Sequence, residues 1–469
     1  MSRKRINSCP IHGEPGEFQF KRPIVRLHFL AIIVTLFLVG CSNNSLQPAM
    51  EIDSAILDQY SGHYRVTDNY SITITSQHGC LYYQPTTQGY GDKLLAKSQQ
   101  KFFLEEWGKT FIEFRRTPGK GTYDLFIARP DSPPRRCPRI EQPAVIELEE
   151  VGHTPIEVSF QEKNDQQDRI IQTLQSLNKQ GDLYTINYSA DYSEFINKTS
   201  GWDFKVKCSL FSITSHSGEI IYGRNFDNEV CDVLAGKYRP INGYTSIVLT
   251  RVSDLGFERD VDLLSLPLKK RAGLLAAPCF TADGMNEKGV VLGVASVKKQ
   301  PVVIHPKRET VFFMRLCREI LDHAANVDEV IAMTEKYNIY DEKEGADYSI
   351  AHHLLVSDAM GNSVVLENSG GQMRAIRKTL AWQLAINSPL YKVNEGDRKI
   401  ECQRYHILTT LLEENREKMN WQKGMQFLRR VAVKGNHAMS CWSSVYDIQE
   451  RTIYLVLHKK YQTPLKLTF

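Results

Sequence analysis

The sequence predicts an α+β protein in two parts, a small all-β module followed by a larger layered domain from residue 208 onward. Three observations carry this. Between Leu57 and Ala128 short apolar runs alternate with turn residues, the pattern of half-buried strands. From Cys208 onward, longer strand-like runs flank two segments of helical periodicity, and hairpins around a helical pair suggest stacked layers with antiparallel sheets. Between the two parts, Pro130, Pro133, Pro134, Pro138 and Pro143 break the chain.

The elements follow in order. Residues 1–40 hold six Lys/Arg against Glu14 and Glu17, which accounts for the whole net charge of +4. The neutral remainder lacks the basic footprint of a nucleic-acid binder. A positive region ending at Arg26 precedes the apolar run Phe29–Val39 and then Gly40-Cys41. That run is too short to span a membrane as an ordinary helix and reads as a secretion signal. Leu38-Val39-Gly40-Cys41 resembles a bacterial lipobox, which implies lipidation of Cys41 and anchoring in the cell envelope. The expected organisation is a lipoprotein signal peptide over 1–41, a tether over 42–56 and a β module over 57–129. A linker over 130–145 and a pro-segment over 146–207 lead to the catalytic domain, 208–469.

Within the module, strands are expected at Tyr70–Thr75, Leu81–Tyr83, Phe102–Leu104, Phe111–Phe114 and Tyr123–Ala128. Tyr60-Ser61-Gly62 and Phe102-Phe103 loosely resemble the lipocalin-like modules appended to some exported hydrolases. A helix is expected over 164–180, with Ile170, Ile171, Leu174 and Leu177 on one face and Gly181 ending it. Further on, strands are expected at 208–214, 219–224, 246–252 and about 290–297, and helices at 309–324 and 327–337. Asn326 with Glu329 forms a capping box for the second helix. Strands at 354–358, 363–366, 443–447 and 452–457 close the domain.

Ten cysteines are present, without a CxxC or a Cys/His pair of zinc spacing. His352-His353 has no partner of metal spacing either. Neither a metal nor a cofactor is therefore expected, and most of the cysteines read as small buried hydrophobes.

Cys208 is the exception. Cys208–Thr214 has strand composition, His216-Ser217-Gly218 is a turn, and Ile220–Gly223 returns. Folding this hairpin lays position 224 or 225 beside 208 and brings Arg224 and Asp227 to the Cys208 nitrogen and sulfur. If the chain is cut between Lys207 and Cys208, the free α-amine, of pKa about 8, can take the thiol proton. A guanidinium favours the thiolate, and a carboxylate can hold the ammonium as the third member of a nucleophile–base–orienter set. Asp283-Gly284 and Asn286 read as a tight turn rather than as chemistry. Asp283 and Asn286 are therefore left out of the candidate site.

Cys208-Ser-Leu-Phe211, Tyr222-Gly-Arg-Asn-Phe-Asp227, Asp283-Gly-Met-Asn-Glu-Lys-Gly289, Ala385-Ile-Asn-Ser-Pro389, Cys402-Gln-Arg-Tyr405 and Trp442-Ser-Ser-Val-Tyr-Asp447 together resemble the choloylglycine hydrolase and penicillin V acylase family. The resemblance runs from about Asp182 to Tyr461 and extends to the related acyl-CoA:6-aminopenicillanic acid acyltransferases. It implies an αββα sandwich of the N-terminal-nucleophile hydrolase type and autocatalytic cleavage before Cys208. It further implies hydrolysis of a linear amide of an N-acylated small molecule through a Cys208 thioester. Carried over, Arg224 and Asp227 support the nucleophile, Asn387 donates to the oxyanion, and Arg404 matches a C-terminal arginine of the site. Gly293-Val-Ala-Ser-Val297 departs from the family, since many bile-salt hydrolases carry a second asparagine there. Two other readings stay open: an acyltransferase using the same thioester with an amine acceptor, and a non-catalytic envelope lipoprotein whose β module binds a ligand. Homo-oligomerisation is open as well.

Overall fold

The computed structural model describes residues 52–67, 70–85, 92–103, 111–129, 132–142, 154–160, 169–196, 207–228, 231–259, 261–391, 402–433 and 439–469. The signal peptide, Cys41 and most of the tether lie outside these residues. No described helix is long and apolar enough to cross a membrane.

In the N-terminal module the helix Ser54–Tyr60 precedes a nine-stranded antiparallel sheet. Its two ends are consecutive pieces of chain. Ser132–Cys137 pairs with Tyr123–Arg129, whereas Arg139–Ile140 pairs with Gly62–Thr67. The switch falls at Pro138, which lacks an N–H but whose carbonyl accepts from the Arg65 N–H at 2.9 Å. The sheet thereby closes on itself, leaving few exposed strand edges. The segment 130–145, expected as a linker, is in its described part the closing strand. The prolines were read as breakers, but edge and closing strands tolerate them. Tyr60 stacks on Phe114 at 4.3 Å, and Tyr64, Phe102 and Leu125 complete a side-chain core.

The larger domain has two sheets face to face. The seven-stranded sheet runs Ile156–Val158, Leu465–Thr468, Thr452–Leu457, Met439–Asp447, Ile220–Asn228, Lys207–Thr214 and Trp382–Ala385. The second sheet is built on Leu183–Tyr188, Val233–Tyr238, Ser246–Arg251, Asp283–Asn286, Val291–Pro301, Asp347–Ser357 and Ser363–Ser369. Alternation along the strand Lys207–Thr214 places Leu210 in the inter-sheet core and Phe211 and Ile213 on the outer face. There they meet Leu408, Leu412, Met425 and Leu428 of the helices Gln403–Glu414 and Trp421–Arg430. The helices Phe313–His323 and Val327–Thr334 pack against the other sheet, where His352 stacks on Phe313 at 5.7 Å. The domain is the expected αββα sandwich. The sheets approach closely at Gly293, where a Cβ would stand 2.5 Å from Leu210 and 2.6 Å from the Tyr222 hydroxyl.

Three sequence expectations change. The helix expected over 164–180 spans Arg169–Gln175 in its described part, with Ile170 and Ile171 exposed. Asn178–Gln180 is a strand, and Gly181, at φ +60°, turns the chain into Leu183–Tyr188. The helix expected from 309 starts at Phe313, because Glu309–Phe312 pairs in parallel with Tyr337–Tyr340. The described parts of the segment 146–207, expected as a pro-segment, contribute strands to both sheets. Ile156–Val158 pairs in parallel with Leu465–Leu467, and Leu183–Tyr188 with Val233–Tyr238. The capping box forms: the Asn326 side chain accepts the Glu329 N–H at 2.9 Å, and Glu329 accepts the Ala325 N–H at 2.7 Å.

Candidate active site

Cys208 is buried near the head of its strand, paired with Phe226. The hairpin closes through 215–219, where the Ser215 N–H donates to the Glu219 carbonyl at 2.9 Å. That loop sets the register, so position 226, not 224 or 225, lies opposite 208. Arg224 reaches the thiol diagonally on the same face, Nη2 donating to Sγ at 3.4 Å. Asp227 pairs across from Lys207; its backbone N–H also bonds the thiol, while its carboxylate accepts from Arg404 Nη1 at 3.3 Å and from the Ser440 hydroxyl.

Arg404, in the first turn of Gln403–Glu414, links the site. Nη1 donates to the Cys208 carbonyl at 3.2 Å and to Ser209 Oγ at 3.4 Å, and Nη2 to Asn387 Oδ1 at 3.0 Å. Asn387 follows the strand Trp382–Ala385, which pairs with the strand Lys207–Thr214 that carries Cys208. Its Oδ1 accepts the Cys208 N–H at 2.7 Å, and its Nδ2 donates to the Ser296 carbonyl at 2.9 Å. Two donors on one side and a carbonyl on the other define the amide's orientation. The five candidates Cys208, Arg224, Asp227, Asn387 and Arg404 thus fall into one connected network.

Asp283 belongs to it as well, contrary to the tight turn expected there. It opens a strand, is fully buried and ion-pairs with Arg224 Nη1. It also accepts from Trp442 Nε1 at 3.1 Å and from the Ser444 and Tyr446 hydroxyls, each at 2.7 Å. Burial, reinforced by Asp283, pushes Tyr446 well above the ordinary phenol range, keeping it a donor. Arg224 Nη2 also meets the Val294 carbonyl at 3.1 Å. The signal for Asp283 was the period-two set Trp442, Ser444 and Tyr446, three donors on one strand face.

In the uncut chain, burial pushes the Cys208 thiol up. The Arg224 charge pulls it down, the Asp227 carboxylate pushes it up again, and hydrogen bonds from Arg224 and the Asp227 N–H pull it down; the net shift is upward. Burial alone would lower Arg224, but Asp283 and Cys208 outweigh it and raise it, so the guanidinium stays charged. The site holds a neutral thiol beside a fixed cation, with its backbone nitrogen still an amide. Such an arrangement can deliver a thiolate once the nitrogen becomes an amine.

The site is thus a buried cysteine at the head of a central strand of an αββα sandwich, met by a guanidinium and a side-chain amide. Residues 208–428 match the family described as linear amide C–N hydrolases, choloylglycine hydrolase family. By that match the domain is a hydrolase of non-peptide C–N bonds in linear amides. Residues 46–132 match a domain of unknown function, DUF3471. Similar solved structures include a variant of the conjugated bile acid hydrolase from Clostridium perfringens, 13% identical over 56% of this chain and 92% of that chain, with a TM-score of 0.42. Another is penicillin V acylase from Agrobacterium tumefaciens, 16% identical over 54% of this chain and 83% of that chain, with a TM-score of 0.38. No curated protein matches the chain.

Proposed function

We propose that the protein is an exported, lipid-anchored amidase that cleaves the C–N bond of an N-acylated small molecule through a Cys208 thioester. The observation that carries this is the meeting of Arg224 with the Cys208 sulfur and Asn387 with the Cys208 nitrogen, at 3.4 and 2.7 Å.

Maturation comes first. The Cys208 thiol attacks the Lys207 carbonyl carbon, and the peptide nitrogen leaves as the Cys208 α-amine. Water then hydrolyses the resulting thioester, leaving a Lys207 carboxylate and a free thiol. The amine, of pKa about 8, is partly neutral at pH 7 and takes the thiol proton. Arg224 stabilises the thiolate by charge, and Asn387 Oδ1 accepts from the ammonium.

The thiolate adds to the substrate carbonyl, whose oxygen becomes an oxyanion. The Asn387 side-chain amide donates to that charge, an interaction of about 3 kcal/mol of barrier. The ammonium returns its proton to the departing amine nitrogen, the C–N bond breaks and the thioester remains. Water, deprotonated by the α-amine, releases the acid. Arg404, bonded to the Cys208 carbonyl, Asn387 and Asp227, holds the three in register.

The test is a panel of N-acyl amides, including acyl amino acids, acyl homoserine lactones, penicillin V and conjugated bile salts, against wild type and Cys208→Ala. Intact mass of the active wild type should show a chain beginning at Cys208. Activity in Cys208→Ala, or in wild type that remains uncut, overturns the mechanism. Cys41→Ala should release the precursor from a membrane fraction; retention of this variant refutes the lipid anchor.

A further inference from the structure

Beyond the network that touches Cys208, a second buried acid grips the loop that carries Asn387. Glu367 lies on the strand Ser363–Ser369 and is 1% exposed. Its Oε2 accepts the Leu390 N–H at 2.9 Å and its Oε1 the Tyr391 N–H at 2.8 Å. These two donors follow Asn387 directly, after Ser388 and Pro389. A carboxylate bridging successive backbone N–H groups makes charge-assisted bonds that fix the path of a loop. His353, on the neighbouring strand and fully buried, donates from Nδ1 to Glu367 Oε2 at 2.9 Å. Its Nε2 has no hydrogen-bond partner among the described residues, so Glu367 is the polar anchor of the ring.

The sheet register connects this pair to the site. His353 pairs with Ala295. The carbonyls on either side of Ala295, those of Val294 and Ser296, accept from Arg224 and from Asn387 Nδ2. Asn387 is thus held at its amide by Ser296 and at its loop by Glu367, from strands two apart in one sheet. Burial would raise the Glu367 carboxyl, but the bonds from His353, Leu390 and Tyr391 outweigh it and hold it below the usual range.

We propose that Glu367, braced by His353, is a positioning residue that sets where the Asn387 amide stands relative to Cys208. The inference rests on the amidase reading, through the oxyanion role of Asn387. Loss of the clamp leaves the chemistry intact and displaces a transition-state donor, and a misplacement of about 1 Å in such a group costs up to about a hundredfold in rate.

The test uses the full chain and the burst of p-nitroaniline from a decanoyl p-nitroanilide, together with the rate of cleavage before Cys208 by intact mass. Glu367→Gln is expected to slow the burst between tenfold and about a hundredfold at unchanged KM, the signature of an interaction made only in the transition state. The double variant Glu367→Gln/Asn387→Ala is expected to be no slower than Asn387→Ala alone. A wild-type burst rate in Glu367→Gln, or a double variant whose loss is the product of the two single losses, overturns the proposal. If Glu367→Gln does not fold, His353 carries the test. His353→Leu should slow the burst, and His353→Asn, which restores a donor in the Nδ1 position, should recover most of it; equal losses in both sink the idea. Wild type that stays uncut and gives no burst overturns the amidase reading, an outcome separate from any difference among the variants.

Discussion

Asn387 Oδ1 accepts the backbone N–H of Cys208 at 2.7 Å across 179 positions of sequence. The side chain proposed for the oxyanion therefore also holds the nitrogen proposed as the general base. Asn387→Ala is expected to slow both cleavage before Cys208 and substrate turnover by about 100-fold to 1,000-fold, the range for one oxyanion donor. Time-resolved intact mass and steady-state kinetics on one preparation read both rates. Normal processing with only turnover impaired would falsify the dual role.

Arg224 and Asp283 form a buried ion pair in which the acid also takes three neutral donors. Removing one charge strands the other in a low-dielectric interior, which costs about 3–5 kcal/mol. Asp283→Asn should lower stability by that amount in urea unfolding, and the surviving variant, its Arg224 charge no longer neutralised beside the thiol, should react with iodoacetamide at Cys208 faster than wild type. A loss below about 1 kcal/mol contradicts the pairing.

Cleavage before Cys208 should not separate the two products. Leu183–Tyr188 pairs along its whole length with Val233–Tyr238, and Ile156–Val158 lines the edge strand Leu465–Thr468. Tyr192 adds a hydrogen bond to Asp322 at 2.8 Å. Gel filtration of fully processed protein should give one peak containing both pieces. Two separate peaks without denaturant refute this.

Glu219 accepts from the Ser217 hydroxyl at 2.7 Å and from Ser215, inside the loop that sets the hairpin register. Those bonds pull its carboxyl down to about 2. A depressed acid stabilises the fold above its unfolded pKa, and that stability is lost as pH falls through the folded value. Wild type should therefore exceed Glu219→Gln in urea midpoint at pH 6, and the gap should narrow at pH 3. A gap that is the same at both pH values excludes this origin.

Much of this was legible in the sequence because it is local. The hairpin from Lys207 to Asn228 rests on two apolar runs around Gly218, so the nearness of Arg224 and Asp227 to Cys208 follows from chain geometry. The capping box at Asn326 is equally local. The register was off because strand composition does not say where a loop closes, and Ser215 with Glu219 decided it. The Pro-rich closing strand and the strands before Cys208 were misread for another reason. Their partners lie far along the chain, and pairing overrides local breaker signals.

The sequence by itself determined the hairpin neighbours of Cys208 and the α+β layering, since period-two and period-3.6 patterns and turn residues act over a few positions. Only the tertiary structure decided that Asp283 neutralises Arg224, that Arg404 joins Cys208 to Asn387 and Asp227, and that Glu367 clamps the Asn387 loop. Those groups meet because two sheets stack and a helix covers one of them. A buried charge must find its partner wherever packing brings one.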